Sequence, residues 1–179
     1  MGHQPFETLL EAHHGEIYRY LLRVTARSSD AEDLAQETFL RAYRAYRSLA
    51  ADANVRAWLF TIATNLSRNH FRGEKRRRNA HAAARVRADH NGWGADAATP
   101  EGETLFKEAR GLLDRVVAGL PFKQRVAFVL RKIHDLDYEA IARTLDCSAE
   151  SARAHVFQAL RKIRHGLEGR EFAPMEFER

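Results

Sequence analysis

The sequence predicts an all-α protein of two small helical domains joined by a flexible linker. Apolar residues recur three and four positions apart along most of the chain, which is the spacing of helices with one buried face, and no segment shows the alternation of a strand. The periodicity is interrupted from 73 to 103, where Gly92, Gly94 and Pro100 occur. We therefore expect a first domain over residues 1–75, a linker over 76–104, a second domain over 105–170 and a tail over 171–179.

The first domain should contain three helices. An amphipathic segment runs from Phe6 to Val24, and Gly15 is expected to bend or break it. We expect Asp30 to be the N-cap of the second helix and Asp33 to stand at its third position, and this helix should end near Ser48.

The third helix has the clearest pattern in the chain. Six residues from Val55 to Leu66 are spaced so that they fall on one apolar face. Its far side and continuation carry amide and basic side chains, namely Asn65, Arg68, Asn69 and Arg72. The helix is therefore expected to be apolar on one side and basic on the other.

The second domain ends in a helix-turn-helix motif over residues 137–167, after amphipathic helices over 105–120 and 123–134. Asp137 and Ser148 are natural N-caps for its two helices. Asp146 stands in the turn, where a left-handed backbone is often needed and Asp tolerates it. The small core of the motif should contain Ile141, Leu145, Ala152, Val156, Leu160 and Ile163.

The second helix of the motif presents a surface suited to nucleic acid. A helix fits the major groove of DNA, where Arg and small side chains can meet base edges and later basic residues can reach phosphates. An ordinary helical hairpin with a solvated charged face would have similar spacing, but exposure of Phe157 among basic residues favours DNA. The candidate contact residues are Ser151, Arg153, Ala154, Phe157, Gln158 and Arg161.

Charge is concentrated in two separate places. The net charge of +5 is modest, but residues 68–78 hold six basic residues against Glu74 alone. Residues 148–167 hold four basic residues against Glu150 alone. Two separated basic patches indicate a long polyanion that is contacted at two points.

Other classes of protein are disfavoured. The chain has one cysteine, Cys147, which we interpret as a small plug in the turn rather than a redox or metal group. His13, His14 and Glu16 form the densest cluster of possible metal ligands. Because neighbouring residues of a helix point in different directions, we expect no metal site there. We also expect no cofactor and no catalytic residue. No apolar run approaches the length of a membrane span, and we expect a soluble cytoplasmic protein without membrane insertion.

Three segments resemble the extracytoplasmic-function sigma factors, which belong to the sigma-70 family of bacterial transcription initiation factors. Residues 30–44 and 55–69 are similar to the two core segments of sigma region 2, and residues 120–131 with the helix-turn-helix are similar to region 4. The resemblance covers roughly residues 5–75 and 105–167 in the expected order. It implies that the protein binds core RNA polymerase and directs promoter recognition, DNA melting and initiation.

The resemblance assigns roles to residues of the first domain. Asp33, Gln36, Glu37 and Arg41 match the segment that docks on the largest polymerase subunit, although acidic residues at a helix start also favour its dipole. The third helix, which begins at Val55, matches the segment that reads the minus-ten element and implies DNA contacts in the melted non-template strand. The loop Ser48–Asn54 matches the one that receives a flipped base, Trp58 is expected in the core, and Phe60 is left open as core or stacking platform. The implied minus-ten residues are Asn54, Asn65, Arg68, Asn69 and Arg72.

In the second domain, Arg153, Ala154 and Phe157 match positions that meet the minus-thirty-five element of duplex DNA. The chain departs from the common family pattern at Ala154, His155 and Gln158, so its promoter preference cannot be copied from other members. The family also implies an anti-sigma factor as a partner and a role in stress response. The tail is open as a disordered or a docking segment.

Two alternatives compete with this hypothesis. A stand-alone regulator would use the helix-turn-helix as a dimer, but it leaves residues 30–69 unexplained. An enzyme, such as a helical metal-dependent hydrolase, would need a ligand triad, a nucleophile elbow or a phosphate loop, and no convincing one is found.

Overall fold

The fold is all-α, as predicted. The computed structural model describes residues 5–50, 52–84 and 104–168, and these ranges contain helices and no strand. None of the helices in these ranges is long and apolar enough to cross a membrane. The helices are α1 Phe6–Thr25, α2 Ser28–Tyr46, α3 Val55–Ala84, α4 Thr104–Ala118, α5 Phe122–Lys132, α6 Tyr138–Leu145 and α7 Ala149–Glu168.

Helices α1, α2 and α3 pack together as the first bundle. Helix α1 is continuous through Gly15, so the expected break is wrong. One glycine in a helix costs only about 1 kcal/mol, and the burial of Ile17, Tyr20 and Leu21 beyond it offsets that cost. The helix ends instead at Ala26, whose φ of 59° is left-handed.

The expected start of α2 is also wrong. The helix begins at Ser28, the extended residue before it is Arg27, and no side chain caps it. Asp30 lies inside the first turn, where its carboxylate is 3.7 Å from Arg27 Nη1 and 3.3 Å from His70 Nε2. Contacts of Asp30 with Arg27 and with His70 of α3 therefore take the place of the local cap that the sequence favoured.

Helix α3 extends beyond the expected end of the first domain at residue 75. It passes through Gly73 and continues to Ala84, so the interruption inferred from residue 73 onward is wrong for this stretch. Glu74 lies 3.1 Å from Arg27 and 3.9 Å from Arg78, and these ion pairs support the helix after the glycine. Residues 85–103 of the linker predicted over 76–104, and the tail 171–179, lie outside the described residues.

The second bundle consists of helices α4 to α7 and contains the expected helix-turn-helix. Asp137 accepts a hydrogen bond from Ala140 N at 2.6 Å, Asp146 has a φ of 52°, and Ser148 Oγ accepts from Ser151 N at 3.1 Å. These three predictions are confirmed. Cys147 is half-buried against the core, as expected for a plug.

One core residue of the motif is assigned wrongly. Leu160 is 37% exposed, and Ala159 takes the buried position beside Val156 and Ile163. The apolar spacing of the helix predicted over 123–134 favours an inward Ile133, but Ile133 is 40% exposed because α5 ends at Lys132 and the chain turns away there.

The two bundles contact each other. Helix α5 packs on α1, and α6 packs on α3. Thr61 and Thr144 share a hydrogen bond of 3.1 Å, and the rings of Phe71 and Phe122 meet edge to face at 5.7 Å. Arg125 of α5 donates to Val24 O of α1 at 2.5 Å.

Candidate nucleic-acid interface

The recognition face of α7 is open to solvent. Phe157 is 67% exposed, Ser151 is half-buried, and the remaining four candidate residues are exposed. The opposite face of α7 is held down by Ala152, Val156 and Ala159 in the core. The structure thus brings all six candidates to the free side of one helix.

Two members of this face already have polar partners. Ser148 Oγ donates to Ser151 Oγ at 2.9 Å, so Ser151 takes part in the helix cap. Gln158 Oε1 accepts a hydrogen bond of 2.7 Å from Gln124 Nε2 of α5. The amide nitrogen of Gln158 keeps its capacity to donate to a base or phosphate.

Arg153 is oriented by an aromatic ring. Its Cζ lies 5.1 Å from the ring centre of Tyr138, the first residue of α6. Arg131 of α5 approaches the same ring, with its Cζ at 5.0 Å. Arg131 is also anchored through Nη1, which donates to Leu136 O at 3.0 Å. Three helices thus combine two cations and one ring at this end of the motif.

His155 adds no positive charge to the recognition helix at neutral pH. Burial lowers its pKa below the usual value, and the nearby charge of Lys123 lowers it further. Its Nδ1 is buried without a hydrogen-bond partner among the described residues. The family pattern favours a basic residue at this position, and His155 does not supply the corresponding positive charge.

The basic side of α3 is the second exposed polar surface. Asn65, Asn69 and Arg72 are exposed, while Arg68 is half-buried and has one guanidinium nitrogen enclosed without a partner among the described residues. The basic run 75–78 continues the same helix and is exposed. The structure therefore brings four of the five minus-ten candidates together on one helix.

The fifth candidate, Asn54, has a structural role at the start of α3. Its Oδ1 accepts a hydrogen bond of 2.9 Å from Ala57 N, which makes it the N-cap of the helix. The structure also gives the positions of the two nearby aromatic residues. Phe60 is fully buried, and Trp58 is half-buried and packs against the core. Phe60 is therefore a core residue, and Trp58 lies where the pattern placed it.

A third surface lies along α2. Asp33, Gln36 and Arg41 are exposed and Glu37 is half-exposed, with Arg41 Nε donating to Glu37 Oε1 at 2.6 Å. Leu40 within this surface is 44% exposed. Contiguous exposed apolar side chains mark protein-binding surfaces, and Leu40 is joined on this helix by Tyr43.

Tyr43, one turn further along α2, was missed by the sequence analysis. The spacing of Phe39, Tyr43 and Tyr46 predicts one aromatic stripe on α2, but Phe39 and Tyr46 are buried whereas Tyr43 is 60% exposed. The ring of Phe6 stands edge-on to it at 5.2 Å. The available signal was its position three residues after Leu40, on the same face.

A charged network joins the two bundles. Arg56 of α3 binds Glu16 of α1 through Nε at 3.0 and 3.1 Å and through Nη2 at 2.5 Å. The same Nη2 donates to His134 O at 2.5 Å, and His134 Nδ1 lies 3.1 Å from Glu16 Oε1. His134 is 6% exposed, and burial lowers its pKa despite the neighbouring carboxylate.

Glu16 should make acid stability depend on this network. Burial raises its pKa, but hydrogen bonds from Arg56 and His134 outweigh that effect and lower it from 4.5 to about 2. A lowered carboxyl pKa gives stability that is present above pH 4.5 and lost as the pH falls towards about 2. We expect urea unfolding of Glu16→Gln to lose this pH-dependent part. Glu11→Gln, an exposed change on the same helix, should keep the wild-type profile, and an unchanged profile in Glu16→Gln would contradict the assignment.

The adjacent histidines His13 and His14 diverge, and His13 Nδ1 lies 3.9 Å from Glu16 Oε2. His14 stacks on Phe39 at 5.6 Å, whereas Glu16 turns to Arg56. Among the described residues, Asp30, His70 and Glu74 do place possible ligand atoms within 4.8 Å of one another. Arg27 pairs with both carboxylates of that group, so a cation of the chain already offsets part of their negative charge.

Both bundles match known protein families. The family described as Sigma-70 region 2 matches residues 9–77, and the family described as Sigma-70, region 4 matches residues 110–163. The ECF RNA polymerase sigma-E factor of Escherichia coli (strain K12) is 32% identical over 139 residues, which cover 76% of this chain and 73% of the relative. Its counterpart in Haemophilus influenzae is 28% identical over 166 residues, covering 91% of this chain and 87% of the relative.

Solved structures show the same fold. The sigma factor RpoE of Bartonella quintana, in complex with the anti-sigma factor NepR, superposes with a TM-score of 0.71 at 22% identity, over 93% of this chain and 98% of that one. CnrH, in complex with the cytosolic domain of CnrY, gives a TM-score of 0.66 at 20% identity, over 93% of this chain and 89% of that one.

Proposed function

Because the chain belongs to the extracytoplasmic-function sigma factors of the sigma-70 family, it is a transcription initiation factor that directs core RNA polymerase to promoters, and we propose that its three exposed surfaces divide this work. The observation that carries the proposal is the free face of α7, which combines guanidinium, amide and aromatic groups on a helix of suitable width. We assign no catalytic step to the chain itself, and its place of action is the cytoplasm, where polymerase and promoter DNA meet.

The α7 face is the proposed reader of the minus-thirty-five element. Arg153 is the candidate for base contact in the major groove, and Ala154 and Phe157 supply apolar contacts such as those made with thymine methyl groups. Gln158 and Arg161 lie further along the same face, where they reach phosphates. Ser151, held in the cap, fixes the N-terminal end of this face.

The α3 face is the proposed reader of the minus-ten element. Asn65 and Asn69 offer amide groups to base edges of the melted non-template strand, and Arg68 and Arg72 offer charge to its phosphates. Asn54 contributes here through its remaining amide nitrogen and by capping the helix that carries the others. The adjoining loop Ser48–Asn54 is the proposed site for a flipped base.

The α2 face is the proposed polymerase-docking surface. Its acidic and amide groups, Asp33, Gln36 and Glu37, suit a basic partner helix, and Arg41 is already neutralised by Glu37. Leu40 supplies the apolar centre that a docking contact needs. We also propose an anti-sigma factor and a stress-linked signal as regulators, because the structurally similar sigma factor RpoE of Bartonella quintana is bound to the anti-sigma factor NepR.

In vitro transcription tests the proposal directly. Core bacterial polymerase would be incubated with promoter fragments from the same genome, with and without the protein. Discrete start sites should appear only when the protein is added, and their alignment should give both promoter elements. If there is neither stimulation nor co-migration with polymerase on gel filtration, the stand-alone dimeric regulator becomes the better assignment.

Replacing Arg153 with alanine should weaken transcription from promoters that depend on the minus-thirty-five element. The loss of one base-reading contact corresponds to about 1–3 kcal/mol, or roughly 5-fold to 150-fold in complex formation. Polymerase binding should stay unchanged, because the change lies on α7. Arg115→Ala removes an exposed arginine from α4 and serves as the matched control. Loss of polymerase binding in Arg153→Ala would refute the division of roles.

A further inference from the structure

Tyr138 stands between the two arginines at the DNA-facing end of the second bundle. It is half-buried at the first position of α6, while Arg131 comes from α5 and Arg153 from α7. Both guanidinium carbons lie about 5 Å from the ring centre. At this distance an aromatic face attracts a cation.

The two arginines differ in how they are held. Arg131 is also tied to the backbone through Leu136 O. Within the described residues Arg153 has no carboxylate or carbonyl partner, and the Tyr138 ring is the contact that orients it. A guanidinium that stacks on a ring keeps its N–H edge free for bidentate bonding. The ring therefore restricts Arg153 without occupying the donors that DNA would use.

We propose that Tyr138 is a positioning residue that pre-orients Arg153 for contact with duplex DNA; this rests on the proposed role of α7. A free arginine side chain loses conformational entropy when it is fixed in a complex, and an arginine already held by a ring loses less. The benefit appears as tighter binding to the minus-thirty-five element. It does not require Tyr138 itself to contact a base.

The test is a double-mutant cycle on duplex binding by the full chain bound to core polymerase. A labelled fragment carries the minus-thirty-five element found from mapped start sites. Tyr138→Leu, which keeps an apolar side chain but removes the π face, should weaken binding about 2-fold to 10-fold, in line with the entropy of one ordered side chain. Tyr138→Phe should keep wild-type affinity because the ring remains.

Coupling between the two positions decides the proposal. In an Arg153→Ala background, Tyr138→Leu should have no further effect, since its target is gone. An equal loss in both backgrounds, or a loss in Tyr138→Phe like that in Tyr138→Leu, would overturn the positioning role. If Arg153→Ala alone left binding intact, the proposed function of α7 would fail instead, so the two failures are distinguishable.

Discussion

Replacing Tyr20 with alanine is expected to lower the free energy of unfolding by about 3–5 kcal/mol, the usual cost of removing a large aromatic side chain from a packed core. Tyr20 is fully buried, and its ring meets Phe60 edge to face at 5.1 Å and His134 at 5.8 Å. It therefore supports the first bundle and the contact with the second together. The cavity left by the alanine can close only partly, because two helices and a neighbouring bundle surround it.

Chemical denaturation of the variant measures this loss, and Tyr20→Phe provides the matched control. The phenol OH shares a hydrogen bond of 2.6 Å with Thr64 Oγ1, but Thr64 also donates to Phe60 O at 2.7 Å. Thr64 therefore keeps a partner when the OH is removed, and Tyr20→Phe should lose only about 1 kcal/mol. Similar losses in the two variants would show that the ring contributes little packing.

Arg125→Ala is expected to destabilise the protein by about 3 kcal/mol or more, because it leaves several partly buried carbonyl groups without a donor. Arg125 donates to Ala118 O, to Leu120 O at 3.1 Å and to Val24 O at 2.5 Å. Burial lowers its pKa below the usual value, and its Cζ lies 5.6 Å from the ring centre of Phe71. One cation thus closes the α4–α5 turn and ties it to α1.

The measurement is again the free energy of unfolding. Lys123→Ala, an exposed change two residues earlier on α5, should cost less than about 0.5 kcal/mol. Arg125→Lys should recover only part of the loss, because an ammonium group cannot reproduce the fixed fork of a guanidinium. Wild-type stability in Arg125→Ala would mean that water replaces the lost donors without cost.

Local chemistry explains why the helix-turn-helix could be predicted closely. Asp137 and Ser148 satisfy free N–H groups within three residues of themselves, and Asp146 meets a backbone requirement within one turn. Such preferences depend on neighbours in sequence and need no knowledge of the fold. The outward face of α7 follows from the same periodicity that buries Val156 and Ile163.

Predictions failed where distant contacts overrode local preference. The α2 start depends on Asp30 meeting His70 of α3, and the passage of α3 through Gly73 is supported by Glu74 reaching Arg27. Leu160 and Ala159 are adjacent, and only the approach of neighbouring helices decides which of them is buried. Each case depends on a residue that is far away in the sequence.

Local patterns along the chain were enough to predict the helical class, the two bundles, the family and the side chains on the free faces of α3 and α7. Periodicity and caps carry that information because they act over one or two helical turns. Tertiary contacts were needed to establish that Phe60 is core, that Tyr138 lies against Arg153, and that Arg56 joins Glu16 to His134 across the bundles. Those contacts join residues up to 118 positions apart, and their energies arise only when packing removes water from around them.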